Sequence, residues 1–592
     1  MGAQTTGIKP ARDSTATSIP VEGASLPSSY PTSRMKIDAD RCIDDVRPLR
    51  VAVVGAGLSG IIAGILLPAK VPGIELTIFE KNDDVGGTWL ENAYPGLRCD
   101  TFAHVYQCTF LPNTNWTETI ATGAEILQYW KDQADKYDVH RYIKPSHRVE
   151  SASWDGALKS WTVTVHNTKT SKTGVELFDF VILAIGRYNA LKLPDYPGVG
   201  EFRGHLRHTS NWDSSYGLSG KRVALIGNGA SGVQILPELQ KLAGHVTHYA
   251  RNPTWIAAAI PNTEHTFQSQ PYTKEQLESF KDPEVYLDFR KQLEGAYWRK
   301  YKGMLKSEEN VALTKALVAG MTKRLAGRPE LIKHLIPDFS PHCRRLTFGP
   351  GYLEALLEDN VDFVATRINR FTATGIETID GDHREFDAIF CATGANSDMA
   401  PPFSITAGGV DLKSAWKPGG KFGFPYTYLG AATPGFPNLL YVGGPHASGP
   451  AGTVVHSVEN QITYCARILR KVSSQGIASI TPSQKAADDF VDYCDAYFPT
   501  TVLTDHCASW NNGGIIGARI HGLWPGTATH LTAVRREPRW EDWEYEYAST
   551  SGNRFEYWGS GHTRKETDMS VDMTSYLRLP GQVDLRTIHE SG

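Results

Sequence analysis

Two glycine-rich turns, GAGLSG at Gly55–Gly60 and GNGASG at Gly227–Gly232, limit what this chain can fold into more than any other feature. Each follows a short run of apolar, mostly β-branched residues and opens a segment with apolar residues at helical spacing. Strand, tight turn and helix in that order bring backbone N–H groups to a helix N-terminus, where they suit a pyrophosphate. Val51–Val54 predicts a buried strand, Leu58–Leu67 a helix, and Leu76–Phe79 a second strand. That strand ends on Glu80, twenty residues beyond Gly60, where a carboxylate accepts hydrogen bonds from a ribose diol.

The second unit repeats the order with Val223–Ile226, a helix through Leu239 and the strand Val246–Ala250. It ends on Arg251 and Asn252 rather than on an acid, Arg251 lying nineteen residues beyond Gly232. A guanidinium there suits bidentate binding of a 2′-phosphate, which favours NADP over NAD. The candidate cofactor contacts are therefore Gly55, Gly57, Gly60 and Glu80 in the first unit, and Gly227, Gly229, Ser231, Gly232, Arg251 and Asn252 in the second. The fold class expected is α/β, with two Rossmann-like dinucleotide-binding domains and a helical insert in the second.

At 592 residues the chain is too long for one core. The domain layout expected is an N-terminal extension over 1–48, partly disordered, then the first part of the first domain over 49–190. A linker follows at 191–213, and a second domain over 214–385 with a helical insert at about 273–338. The first domain resumes over 386–500, with Ala388–Cys391 and Leu439–Val442 as its late strands, and a segment at 501–592 covers the active site. Trp510, Trp524 and Trp558 stand out in that segment as packing candidates.

Between the turns lies GGTWLENAYPGLRCD, Gly86 to Asp100. Glycines beside Trp89, Tyr94 and Pro95 offer backbone and aromatic surface to a flat ring, and Arg98 with Asp100 puts a charge pair at the end. An irregular loop with an exposed ion pair explains the same residues equally well.

The net charge of −4 gives no reason to expect nucleic acid or an anionic membrane as partner. The eight cysteines are scattered without CxxC or zinc-ligand spacing, as expected of thiols in a reducing compartment, and no metal is expected. This also argues against a dithiol reductase, which shares the layout of two nucleotide units. No N-terminal stretch reads as a secretory signal, so a cytoplasmic location is expected. The apolar run from Val51 to Pro68 fits a strand, turn and helix better than a membrane span. Ser59 and Ser231 lie inside the glycine turns and not in GxSxG, which excludes a serine hydrolase of that kind.

The run FRGHLRHTSNWD carries Phe202, Gly204, His208, Trp212 and Asp213 at the spacing F-x-G-x-x-x-H-x-x-x-W-D. This resembles the fingerprint of type I Baeyer–Villiger monooxygenases, and Gly86 to Asp100 resembles the second signature of the same family. The general cast is similar to fungal secondary-metabolism members.

The resemblance implies FAD in the first domain, with Gly87, Thr88 and Trp89 beside it, and NADPH in the second. It also implies a catalytic pair of Asp100 and Arg345, and an interdomain coupling role for His208. Arg344 stands where the family has a lysine that joins Arg251 on the 2′-phosphate. Trp510 falls where the family has a tryptophan near the nicotinamide ribose and substrate.

The chemistry implied is attack of a C4a-peroxyflavin on a small-molecule ketone, using NADPH and O2, to give an ester or lactone. The rival readings are oxygenation of sulfur or nitrogen, and an uncoupled NADPH oxidase or redox-responsive flavoprotein. A monomer is expected.

Overall fold

The computed structural model describes residues 32–188, 190–257, 268–396, 399–449, 451–568, 570–582 and 584. The chain divides into two compact units, 44–548 and the pairing of 1–43 with 549–592. The tail expected to be disordered falls mostly on residues 1–31, which lie outside the described residues.

The large unit holds two five-stranded parallel sheets, beside a mixed five-stranded sheet and smaller ones. The first has the spatial order Leu439–Tyr441, Phe180–Leu183, Leu49–Val54, Ile74–Phe79, Ile143–Lys144. Its central strands are near-continuous apolar runs because both faces are covered, one of them by the helices Leu58–Lys70 and Val454–Ser474, which pack on each other. The second sheet runs Val361–Val364, His245–Tyr249, Arg222–Ile226, Ala388–Cys391, His205–His208. Each glycine turn therefore leaves the central strand of its own sheet, at the carboxyl edge where doubly wound folds bind ligands. No described helix is long and apolar enough to cross a membrane.

Three sequence expectations about this layout need correcting. Ala388–Cys391 is not a late strand of the first sheet: it pairs with Arg222–Ile226 and His205–His208 in the second. The chain rejoins the first sheet only at Leu439–Tyr441. The supposed linker at 191–213 contains an edge strand, His205–His208, of that second sheet. The segment 501–592 is not one piece, since 549–592 belongs with the N-terminal residues as a separate unit. Within that small unit Arg41 Nε donates to Tyr557 O and its carbonyl accepts from Ser560 N.

The helices Lys274–Ser279, Pro283–Trp298, Glu308–Arg324 and Ile332–Leu335 fill the inserted region. Leu313, Leu317 and Met321 pack with Val233, Leu236 and Tyr352 of the second nucleotide unit. The other end grips the first domain, where Tyr272 N donates to Thr117 O and Thr119 N to Gln270 O. His104 is buried there in a cage of Tyr272, Phe280, Tyr286 and Phe289, with Nδ1 2.8 Å from the Tyr286 hydroxyl. The insert thus contacts both nucleotide domains rather than decorating one.

Burial pushes His104 and His446 down to about 3 and His248 down to about 4. An unfolded histidine titrates near 6.5, so below that pH the unfolded chain binds protons that the folded one refuses. Stability contributed by these three is complete above 6.5 and falls as pH falls towards the folded values. Each removes about 2 kcal/mol between pH 7 and pH 5. Glu80 and Glu459, raised by burial, act in the opposite sense but only nearer the carboxylate range. The expected result is a urea midpoint that drops steeply below pH 6.5. A midpoint unchanged at pH 5 would show that these imidazoles protonate without unfolding.

Candidate active site

The two turns are close geometric copies. Gly55 has φ +106, and a Cβ there would stand 2.6 Å from Ala184 O; Gly227 has φ +103, with Ala392 O at 2.5 Å. A Cβ on Gly60 would meet Gly55 O at 2.0 Å, and one on Gly232 would meet Gly227 O at the same distance. Only hydrogen allows the helix to start so close to its own strand. Gly57 and Gly229 are the N-cap residues of the helices Leu58–Lys70 and Ala230–Leu242, and no side chain caps either. The first N–H groups of these two helices are therefore left without a side-chain partner. A Cβ on Gly229 would meet nothing within 4 Å, so the space over this turn is open.

Around the first turn, Glu80 is buried and accepts from Ala56 N and Asn82 N, both at 2.8 Å. Burial raises its pKa, and the two backbone bonds hold that rise back. Gly87, with φ +56, brings its Cα side against Gly57, where a Cβ would come within 2.8 Å of Gly57 Cα. The short helix Thr88–Glu91 starts there. Trp89 Nε1 donates to the Tyr106 hydroxyl at 3.2 Å, and Thr88 Oγ1 accepts from Asn92 Nδ2.

Around the second turn, Asn228 Nδ2 donates to Asn252 O at 2.8 Å, fixing the strand end that carries Arg251. Arg251 and Asn252 are exposed, and Ser231 is half-buried. Arg344 reaches the same place, with Nη1 3.4 Å from Pro253 O, and burial lowers its pKa.

Arg345 Nη2 donates to Asp100 Oδ1 at 2.6 Å, across 245 residues of sequence. The Asp100 charge is the main reason the Arg345 pKa rises. The side chains are 49% and 27% exposed, so the pair is reached by solvent rather than sealed in the core. Arg98 does not pair with Asp100 as the sequence suggested. Its Nη1 donates to Glu118 at 2.7 Å, leaving Asp100 to Arg345. The loop before it is docked on the second domain: Gln234 accepts from the Tyr94 hydroxyl and donates to Arg98 O.

The arginine segment is held by a bond that sequence spacing did not indicate. Cys343 and Cys507, both buried, form a disulfide with Cα atoms 6.3 Å apart. The expectation of eight separate thiols is corrected to one disulfide and six buried free cysteines. The disulfide ties the residue before Arg344 to the stretch before Trp510.

Trp510 is half-buried, and its ring lies 5.0 Å from the Arg187 guanidinium and edge-on to Tyr188 at 6.5 Å. Arg187 and Tyr188 were missed in the sequence. The available signal was positional: they follow Gly186 at the carboxyl edge of the strand Phe180–Leu183.

The residues of the run from Phe202 to Asp213 build the edge of the second sheet. Phe202 packs with Phe371 and Ile389, and Trp212 with Phe390 at 4.6 Å. His208 is buried opposite Cys391, and its Nδ1 accepts from Ser210 N at 3.1 Å. Burial lowers its pKa. Among the described residues no hydrogen bond or ion pair joins His208 to Asp100 or Arg345.

Residues 48–273 match the family described as flavin-binding monooxygenase-like. The FAD-binding monooxygenase tazF of Aspergillus terreus is 33% identical over 541 residues, 90% of this chain and 95% of that protein. The FAD-binding monooxygenase moxY of Dothistroma septosporum is 30% identical, covering 87% of this chain and 82% of its own. Among solved structures, closed cyclohexanone monooxygenase aligns with a TM-score of 0.73 at 25% identity, over 85% of this chain and all of that one. OTEMO in complex with FAD and NADP aligns with the same score and identity, over 84% and 99%.

Proposed function

The chain belongs to the flavin-binding monooxygenase-like family, and from that premise we propose that it uses FAD, NADPH and O2 to insert one oxygen atom beside a ketone carbonyl, giving an ester or lactone. The observation that carries the ketone reading is the solvent-accessible ion pair of Asp100 and Arg345. Bound FAD would supply the activation of O2, with NADPH as the reductant.

The residues present fit both nucleotides. Two uncapped helix N-termini behind glycine turns suit two pyrophosphates, and the steric limits at Gly60 and Gly232 hold each cradle in shape. We assign the first turn, Glu80 and residues Gly87, Thr88 and Trp89 to FAD, and the second turn with Ser231, Arg251 and Asn252 to NADPH. Arg344, beside Pro253, joins Arg251 as the second guanidinium for a 2′-phosphate. Trp510 belongs to the wall next to the nicotinamide and substrate.

Arg345 stabilises negative charge that develops on oxygen beside it, including the oxyanion formed from the ketone carbonyl. A guanidinium suits this because it stays charged when partly buried and donates from a fixed fork. Asp100 keeps that fork oriented. His208 acts at a distance from this pair: buried in the edge strand next to Cys391, it transmits nucleotide binding through the second sheet to the other domain.

Product mass after turnover with NADPH and ¹⁸O2 tests the reading, with a panel of cyclic ketones offered beside a thioether. A lactone carrying one heavy oxygen is expected. Sulfoxide alone, with every ketone untouched, would replace the ketone reading with heteroatom oxygenation.

A further inference from the structure

Arg187 is the second guanidinium of this region, and its surroundings differ from those of Arg345. It stands just beyond the strand Phe180–Leu183, at the carboxyl edge of the first sheet. Nε donates to Gly443 O at 3.2 Å, Nη1 to Gly522 O at 3.2 Å and Nη2 to Ser448 Oγ at 2.8 Å. One side chain thus joins the end of its own strand, the loop after Leu439–Tyr441 and the loop at Gly522. Its cation faces the Trp510 ring, and a Cβ on Gly522 would press into that same ring at 2.8 Å. Gly522, Trp510 and Arg187 therefore make one packed contact.

All three hydrogen-bond acceptors are neutral, and no described carboxylate pairs with Arg187. Asp100, by contrast, lies 2.6 Å from Arg345 and cancels most of its charge at a distance. Burial lowers the Arg187 pKa and the Arg345 charge lowers it further. Arginine nevertheless stays protonated at any pH the enzyme meets.

We propose that Arg187 is a positioning residue of the oxygenation site, which clamps the Trp510 segment to the first sheet and gives the site the net positive charge that the Asp100–Arg345 pair lacks. The inference rests on the ketone-oxygenation reading above for the use made of that charge. It does not rest on it for the clamp.

The test compares Arg187→Lys and Arg187→Met with wild type as FAD-loaded full-length enzymes. Two quantities are read: H2O2 released per NADPH oxidised with no ketone present, and the pH at which this release is half-maximal. Arg187→Met removes charge and clamp together, and about a tenfold rise in H2O2 release is expected, one power of ten corresponding to about 1.4 kcal/mol. The half-maximal pH moves upward, because a site without the cation holds anionic oxygen less well. Arg187→Lys keeps the charge but cannot make three bonds from one planar fork. It is expected to keep the wild-type half-maximal pH and still release more H2O2.

A Met variant with the wild-type pH profile overturns the proposal, because a merely structural residue would alter amounts and not the profile. Should the Met variant fail to fold, a Lys variant with wild-type H2O2 release overturns it as well. The no-ketone assay is valid even for an enzyme that oxygenates only thioethers. Failure of the ketone reading is therefore seen in the product and failure of this proposal in the peroxide.

Discussion

Arg345→Ala is expected to bind FAD and accept hydride from NADPH at near wild-type rates, yet lose ester formation by about 10²–10³-fold or more, the loss seen when a charge-stabilising donor is removed from a transition state. The fold has little reason to respond. The side chain is half exposed, and among the described residues its one hydrogen bond to a side chain is to Asp100. What remains after truncation is an unpaired carboxylate, 27% exposed, at the place where negative charge develops. The single variant therefore adds repulsion to the loss of a stabiliser, and Asp100→Ala/Arg345→Ala is expected to recover part of the rate. Asp100→Ala alone keeps the cation but lets the guanidinium swing, and its loss is expected to be smaller. Stopped-flow flavin reduction beside product yield separates the two half-reactions. Ester at the wild-type rate from Arg345→Ala would remove this residue from the chemistry, and slow reduction would place it at the nicotinamide instead.

The nucleotide turns were legible because their signal is local. Glycine spacing, the preceding apolar run and the helical pattern after it all lie within about thirty residues, and each states a steric need that the structure then displays at Gly55, Gly60, Gly227 and Gly232. Sheet membership was not legible for Ala388–Cys391. A run buried on both faces has the same pattern in either sheet, and only the pairing with Arg222–Ile226 decides. His205–His208 was hidden for the opposite reason. HLRH has no strand pattern of its own, and it is extended because Ala388–Cys391 offers it an open edge.

Charges behaved in the same way. Arg98 and Asp100, two residues apart, looked like a pair, but they diverge to Glu118 and Arg345. The sequence alone could not assign those partners. Only the recognised family signature brought Asp100 to Arg345. Cys343 and Cys507 are separated by 164 residues, far outside any spacing rule, so nothing local marks them. Arg187 was marked by position alone. It follows Gly186, just beyond the carboxyl end of the buried strand Phe180–Leu183, and in doubly wound sheets that is where side chains meet ligands.

The near-identity of the two turns permits a sharper experiment than either could support alone. Alanine is a better helix former than glycine by about 1 kcal/mol, so neither Gly60→Ala nor Gly232→Ala is harmful through helix propensity. In both variants the new methyl would stand 2.0 Å from a backbone carbonyl oxygen of the same turn, Gly55 O or Gly227 O. A carbonyl in a turn cannot rotate away as a side chain can, so the helix N-terminus must retreat from its strand. That retreat spoils the alignment of the uncapped N–H groups with a phosphate, and a misplacement of about 1 Å can cost about 10²-fold. The mechanical insult is therefore the same, and the functional losses are expected to differ. Gly60→Ala is expected to purify without flavin absorbance and to show no NADPH oxidation. Gly232→Ala is expected to keep its FAD, still reducible by dithionite, with a KM for NADPH raised about 10²-fold. Loss of FAD from Gly232→Ala with retention in Gly60→Ala would reverse the assignment of the two sheets. Loss from both would show that the flavin depends on the second turn as well, and that the domains do not bind their nucleotides independently.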